Sequence, residues 1–156
     1  MIDARFGHVN VNARDWRRLA DFYKQVFGME VVPPLRDYRG ADLEAGTGIP
    51  GAALRGAHLR LPGLGLGADG PTLEIYQYES GPEALRPAAN RPGYQHIAFV
   101  VQDVAAARNA VLDAGGRKVG SIVTATTADG RVVTWTYVTD PESNIVELQS
   151  WSETQP

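Results

Sequence analysis

Gly7-His8-Val9-Asn10-Val11-Asn12 near the start and Gln95-His96-Ile97-Ala98-Phe99-Val100 past the middle decide how this chain folds. Both are short β-like runs with histidine in the second place. Seven positions after each histidine stands an aspartate, Asp15 and Asp103. A carboxylate there can cap the free N–H groups of a helix start. Apolar residues at helical spacing follow: Leu19, Phe22, Tyr23, Val26 and Phe27 in the first half, Val104, Ala107, Val111 and Leu112 in the second. Gly28 and Gly115-Gly116 end these helices, as C-terminal glycines do. Strands resume at residues 29–32 and 117–119. Each half closes on a strand carrying a glutamate, Thr72-Leu73-Glu74-Ile75-Tyr76-Gln77-Tyr78 and Asn144-Ile145-Val146-Glu147-Leu148-Gln149. Further strands are expected before these, at 38–44 and 53–61 and at 121–126 and 132–139. The chain is thus written twice in the order β-α-β-β-β.

Loops fall at 44–51, 62–71, 128–130 and 140–144. The proline-bearing segment 79–92 reads as the connection between halves. The expected plan is one domain over residues 1–156, with module 1 at about 1–80, a linker at 81–92 and module 2 at about 93–151. The first half is the longer. Its surplus lies in the glycine-rich residues 35–70, and long loops of that kind often shape a binding site.

Side chains alternate across a strand. Val9 and Val11 share one face of the first run, which leaves His8, Asn10 and Asn12 on the other. Ile97 and Phe99 turn to the second helix, so His96 turns away. Leu73 and Ile75 oppose Glu74, Tyr76 and Tyr78, and Val146 and Leu148 oppose Glu147. All four of His8, Glu74, His96 and Glu147 therefore fall on helix-free faces. The expected fold class is α+β, with two βαβββ modules forming a curled mixed sheet around a metal-binding cavity. Two carboxylates buried together repel and partly protonate, and a divalent cation removes that conflict. Imidazole with carboxylate suits Ni, Zn, Co, Mn or Fe, and four ligands leave two octahedral positions for waters or substrate. One histidine or one glutamate in a strand is usually a packing or surface residue; the repetition in both halves is what selects these four.

His58, in Ala57-His58-Leu59-Arg60-Leu61, has no histidine partner in the repeat and reads first as a polar strand-face residue, with lining of the site as the alternative. Asn10, Tyr76 and Tyr78 share faces with the ligands and are candidate substrate contacts. Arg55 and Arg60 are candidate clamps for an anionic group.

The bulk numbers exclude several classes. The length of 156 residues suits one domain, and 44% apolar residues supply a core. Fifteen Lys and Arg against 18 Asp and Glu give a net charge of −3, with no basic patch for nucleic acid. The densest basic spot, Arg14, Arg17 and Arg18, reads as a solvated helix face. There are no cysteines, so thiolate chemistry and Cys-based metal sites are excluded. Residues 1–6 lack the apolar run of a signal peptide, and no stretch approaches the ~18 apolar residues of a membrane helix. A cytoplasmic protein with a small-molecule substrate, and without nucleic-acid or membrane partners, is expected.

Five segments carry a family resemblance: His8-Val9-Asn10-Val11, Asp21-Phe22-Tyr23-Lys24-Gln25-Val26-Phe27-Gly28-Met29, Leu73-Glu74-Ile75-Tyr76, Gly93-Tyr94-Gln95-His96-Ile97-Ala98-Phe99 and Thr139-Asp140-Pro141-Glu142-Ser143-Asn144-Ile145-Val146-Glu147-Leu148. Together they resemble the vicinal oxygen chelate superfamily of glyoxalases, bleomycin resistance proteins and dioxygenases. The resemblance implies paired βαβββ modules around one metal. A His-Glu-His-Glu set is nearest to bacterial glyoxalase I, which implies a lyase or isomerase that chelates substrate through adjacent oxygens and shuttles a proton via an enediolate. Glu147 is the expected base and Glu74 its opposite-face partner. Relatives are often dimers, so a homodimer is expected. Where glyoxalase I carries a basic residue and an asparagine for glutathione, this chain has Asn12 and Tyr78, so another substrate is expected. The alternatives are an epimerase like that of methylmalonyl-CoA, a non-haem iron dioxygenase, or a non-catalytic antibiotic-binding protein, for which Trp135, Tyr137 and Trp151 would suit a cleft.

Overall fold

The two histidine-bearing runs are strands, and each opens a unit of its own. The computed structural model describes residues 1–63, 70–83 and 88–152. It comprises two compact units, Met1–Glu83 and Ala84–Pro156. The first runs β1 (His8–Asn12), α1 (Trp16–Phe27), β2 (Glu30–Arg39), α2 (Ala41–Thr47), β3 (Ala53–Arg60) and β4 (Thr72–Tyr78). The second runs β5 (His96–Val100), α3 (Val104–Asp113), β6 (Arg117–Lys118), β7 (Val123–Thr126), β8 (Val132–Thr139) and β9 (Ile145–Ser152). The class is α+β, with a separately hydrogen-bonded mixed sheet in each unit. Their orders are β1-β4-β3-β2 and β5-β9-β8-β6, with β7 also paired to β8. The first strand of each unit is parallel to the last, and the remaining pairs are antiparallel.

Helix α1 starts where Asp15 accepts the Arg18 N–H and ends at Gly28, whose φ of 65° is the left-handed conformation that glycine tolerates best. Its Leu19, Phe22 and Tyr23 are buried, and the helix packs on β3 and β4. Ala57, Leu59, Leu73 and Ile75 are buried in those strands. Complete burial of a side chain such as Leu59 or Ile75 contributes about 1.5–3 kcal/mol. In the second unit Asp103 accepts the N–H groups of Ala105 and Ala106 to start α3. Val104 and Val111 are buried there, as are Val138, Val146 and Leu148 in β8 and β9, on which α3 packs.

Three expectations need correction. Residues 38–44 are not a separate strand. β2 runs from Glu30 through Arg39, shifting register between Val32 and Arg36 across Pro33-Pro34, and α2 takes Ala41–Thr47. Asp42 and Glu44 sit in the first turn of α2 and Gly48 caps its end; acidic side chains favour the positive end of a helix, and no alternation there rewards a sheet. The expected loop 44–51 is therefore partly helix, and the surplus of the first half includes α2 and all of β3. In the second half the strands at 117–119 and 121–126 shorten to β6 and β7, because Val119 and Gly120 both donate to the Tyr137 carbonyl instead of continuing a ladder. Parts of the expected loop 62–71 and linker 81–92 lie outside the described residues. Among the described residues no helix is long and apolar enough to cross a membrane.

Candidate functional site

Leu73 and Ile75 are buried on the α1 side of β4, so alternation turns Glu74, Tyr76 and Tyr78 to the other face. Register brings neighbours to Glu74 from both sides. Asn10 of β1 lies beside it, with His8 beside Thr72, and His58 of β3 lies directly opposite. Glu74 is only 8% exposed. His8 Nδ1 lies 3.5 Å and His58 Nε2 3.1 Å from the same oxygen, Glu74 Oε1. The Asn10 amide donates to the Glu74 backbone carbonyl at 3.5 Å.

His58 therefore stands against Glu74, not merely on a polar strand face. Its other contacts fix its chemistry. Arg36 Nη2 lies 3.2 Å from His58 Nδ1. A guanidinium can only donate, so Nδ1 holds the lone pair and Nε2 the proton. That Nε2–H reaches Tyr76 Oη at 2.6 Å, and Tyr76 shares the face of β4 with Glu74, two positions on. Burial holds the His58 imidazole below its usual pKa; Glu74 opposes this, while Arg36 and His8 reinforce it. Burial first and Glu74 second push the Tyr76 phenol above its ordinary range. Gly56 opposes Tyr76 across the ladder, and a β-carbon there would meet Tyr76 Cδ1 at 2.6 Å and the Ile75 backbone. The bare glycine is what lets the Tyr76 ring lie where it does.

The two arginine candidates divide between the faces of β3. Arg55 alternates with Gly56 and His58 and so turns to the opposite face of β3. It lies 3.3 Å from Asp37 and 4.0 Å from Glu79, in a surface network shared with Arg39. Arg60 is opposite Thr72 on the Glu74 face.

In the second unit His96 Nε2 lies 3.0 Å from Glu147 Oε2. β5 and β9 place Ala98 beside Glu147 and Ile145 beside His96, the register of Asn10 with Glu74 and of Thr72 with His8. Tyr137 takes the position opposite the glutamate. Its ring centroid is 5.1 Å from those of His96 and Trp135. Burial and then Glu147 raise the Tyr137 phenol above its ordinary pKa. Gln149, in the register of Tyr76, accepts Trp151 Nε1–H at 2.9 Å, and the Arg131 guanidinium sits 4.7 Å over the Trp151 ring. Asp140 is 1% exposed, and its carboxylate accepts from the backbone of Glu142 and Asn144 and from the Asn144 amide, at 2.8–2.9 Å. This turn sets where β9, and hence Glu147, begins.

Among the described residues no group of three or more His, Asp or Glu is arranged to hold a metal by itself. The donors come as one His–Glu pair per unit, with His58 added in the first. Among the described residues no lysine or arginine pairs with Glu74 or Glu147. In each unit a carboxylate without a basic partner stands beside an imidazole, donor types that suit a divalent ion. Sequence reasoning did not single out Arg36. The prolines at 33 and 34 mark a break in β2, but only the length of the register shift decides which residue meets β3 beyond it.

A duplicated β-α-β architecture, with its polar chemistry on the helix-free faces of both sheets, defines the class of this protein. The model of the Glyoxalase/Bleomycin resistance protein/Dioxygenase superfamily matches residues 5–148, and the chain belongs to that superfamily. A glyoxalase family protein from Bacillus cereus matches with a TM-score of 0.77 at 17% identity, covering 97% of this chain and 96% of that one. A glyoxalase/dioxygenase from Nostoc punctiforme matches at 0.63 and 20% identity, covering 96% and 92%. A glyoxylase/bleomycin resistance protein/dioxygenase domain from Frankia sp. EAN1pec matches at 0.61 and 18%, covering 99% and 96%. At these identities the likeness is one of fold. Among curated proteins none matches this sequence.

Proposed function

We propose that this chain is a divalent-metal-dependent lyase or isomerase of the glyoxalase I type, acting on a small molecule that presents two adjacent oxygens. One observation carries the proposal: both units set a histidine and a glutamate at the same register, His8 with Glu74 and His96 with Glu147, within 3.5 Å and 3.0 Å. In this reading the four side chains hold one ion of Ni, Zn, Co, Mn or Fe. Bound there, such an ion supplies Lewis acidity toward the adjacent substrate oxygens.

The remaining work belongs to the chain's own groups. Glu147 takes the proton from the substrate carbon and Glu74 serves the opposite face; a carboxylate in reach of the C–H bond contributes about 10²–10⁴-fold as a general base. Tyr76 and Tyr78 give an aromatic wall on the Glu74 face, and Asn10 offers its amide beside it. The proposed assembly is a homodimer.

The test is a panel of hydroxy-carbonyl, thiohemiacetal and epimerisable acyl compounds, followed by NMR in D₂O with Ni(II)- or Co(II)-loaded protein. The expected result is exchange of one carbon-bound proton in at least one class, with Glu147→Gln retaining the ion and losing turnover at least ~100-fold. Full turnover by Glu147→Gln would remove the base from the scheme.

A further inference from the structure

We propose that Arg36, His58 and Tyr76 form a one-way hydrogen-bond relay that pins the Glu74 carboxylate, leaving Glu147 as the carboxylate free to move. The inference deepens the metal-dependent reading above, and its first half stands without any metal.

The direction of the relay follows from its first member. Arg36 can only donate, so the 3.2 Å contact makes His58 Nδ1 an acceptor. His58 Nε2 is then the N–H, aimed at Tyr76 Oη at 2.6 Å. With its oxygen accepting, the Tyr76 hydroxyl has its own hydrogen to give, and the relay directs it to Glu74, two positions back on the same strand face, whose Oε1 also lies 3.1 Å from His58 Nε2. Every link donates toward the carboxylate. Such chains polarise in one sense and strengthen one another. Among the described residues Arg36 pairs with no carboxylate, and its Nη1 is buried without a hydrogen-bond partner, so its charge is not neutralised elsewhere.

The backbone supports the relay at two points. The β2 register shift places Arg36 opposite Gly56, next to the His58 position. Gly56 leaves room for the Tyr76 ring. In the second unit the matching places hold Val123, Trp135, Tyr137 and Gln149. None of these can rebuild the chain: Val123 cannot donate, and Gln149 is bonded to Trp151. Glu147 is held by His96 at 3.0 Å, without a counterpart of Arg36. The asymmetry assigns the roles. Glu74 would serve as the fixed ligand, and Glu147 as the carboxylate that takes the proton. In the relay Arg36, His58 and Tyr76 act on Glu74 and are positioning residues; the Tyr76 ring keeps its place in the aromatic wall.

Two measurements test this. In metal-free protein with chelator at pH 7.5, ¹⁵N NMR of the imidazoles should show His58 as the neutral Nε2–H tautomer, and Arg36→Met should abolish that preference. An Nδ1–H tautomer or a charged ring in the wild type would overturn the relay. Titration with Co(II) alone, with folding checked by thermal melts, then reads the consequence. Tyr76→Phe and His58→Leu should each weaken Co(II) binding roughly 10- to 100-fold, the usual effect of losing a group that orients a ligand. His58→Gln, whose amide can accept from Arg36 and donate to Tyr76, should recover affinity to within about threefold of wild type on the same scale. Tyr137→Phe should change little. Equal losses in Tyr76→Phe and Tyr137→Phe, or a His58→Gln as weak as His58→Leu, would overturn the pinning of Glu74. A wild type that binds no Co(II) would instead defeat the metal reading, and the tautomer result would then decide the relay by itself.

Discussion

Opposite its glutamate the first unit carries His58 and the second carries Tyr137, at the same place in the two ladders. Around that pair two polar side chains of the first unit have apolar counterparts in the second: Arg36 against Val123, Asn10 against Ala98. The frames are alike and the His–Glu pairs are alike, so the repeat preserves the donors while their surroundings diverge. Two carboxylates that stand in different environments can be given different tasks. That is how one fold runs acid and base chemistry with chemically identical groups.

The sharpest break of this comparison is the pair Glu147→Gln and Glu74→Gln. The first is expected to lower kcat about 10³-fold with metal content intact, within the range of a lost general base. The second is expected to lose metal affinity before it loses kcat at saturating metal. Metal content and kcat measured side by side check both, and identical profiles would erase the distinction.

The turn that leads into β9 gives the next test. Asp140→Ala strips three hydrogen bonds from a buried carboxylate. It should cost about 3 kcal/mol in denaturant unfolding, since hydrogen bonds to charged groups contribute roughly 1.5–3 kcal/mol each and some are replaced by water. A loss within experimental error would show that the turn closes without it.

Gly56→Ala should cost about 2 kcal/mol, as overpacking of a tight contact does. It should also displace the Tyr76 ring, seen as changed His58 imidazole shifts. Trp135, at the matching place, already carries a large side chain, so Trp135→Phe should leave the His96 shifts nearly unmoved.

The helix caps give a finer comparison. Asp103 accepts two backbone N–H groups at 2.8 and 2.9 Å, and Asp15 accepts that of Arg18 at 3.1 Å. Alanine at either site should cost about 1 kcal/mol, read by chemical denaturation.

The smallest effect is spectroscopic. Tyr76 and Tyr137 both keep their protons above the ordinary tyrosine pKa. In that range the folded state binds more protons than the unfolded one, so stability falls as the pH climbs past about 10. Ultraviolet titration of metal-free protein should show late-ionising phenols, and Tyr76→Phe should remove the latest of them.

Much of this was legible in the sequence. The alternation of Leu73 and Ile75 with Glu74, and of Val146 and Leu148 with Glu147, located the strands and their faces. The Asp15–Gly28 and Asp103–Gly115 punctuation located the helices. Residues 38–44 misled because Tyr38 belongs to β2 while Ala41–Thr47 is a short helix without a buried face, so no apolar period announces it. Arg36 was invisible for a different reason. Its neighbourhood depends on a register shift across Pro33-Pro34, and registers are long-range facts that a local pattern does not encode. His58 was visible as a polar residue among apolar ones, but its meeting with Glu74 appears only when β3 pairs with β4.

The most direct test of the central claim, that both units donate a His–Glu pair to one ion, is calorimetric titration of metal-free protein with Ni(II), repeated with His8→Ala and with His96→Ala. The account predicts one ion per chain in the wild type and a large loss of affinity in both variants at that single site. No binding in the wild type, or one variant that binds as the wild type does, would contradict it.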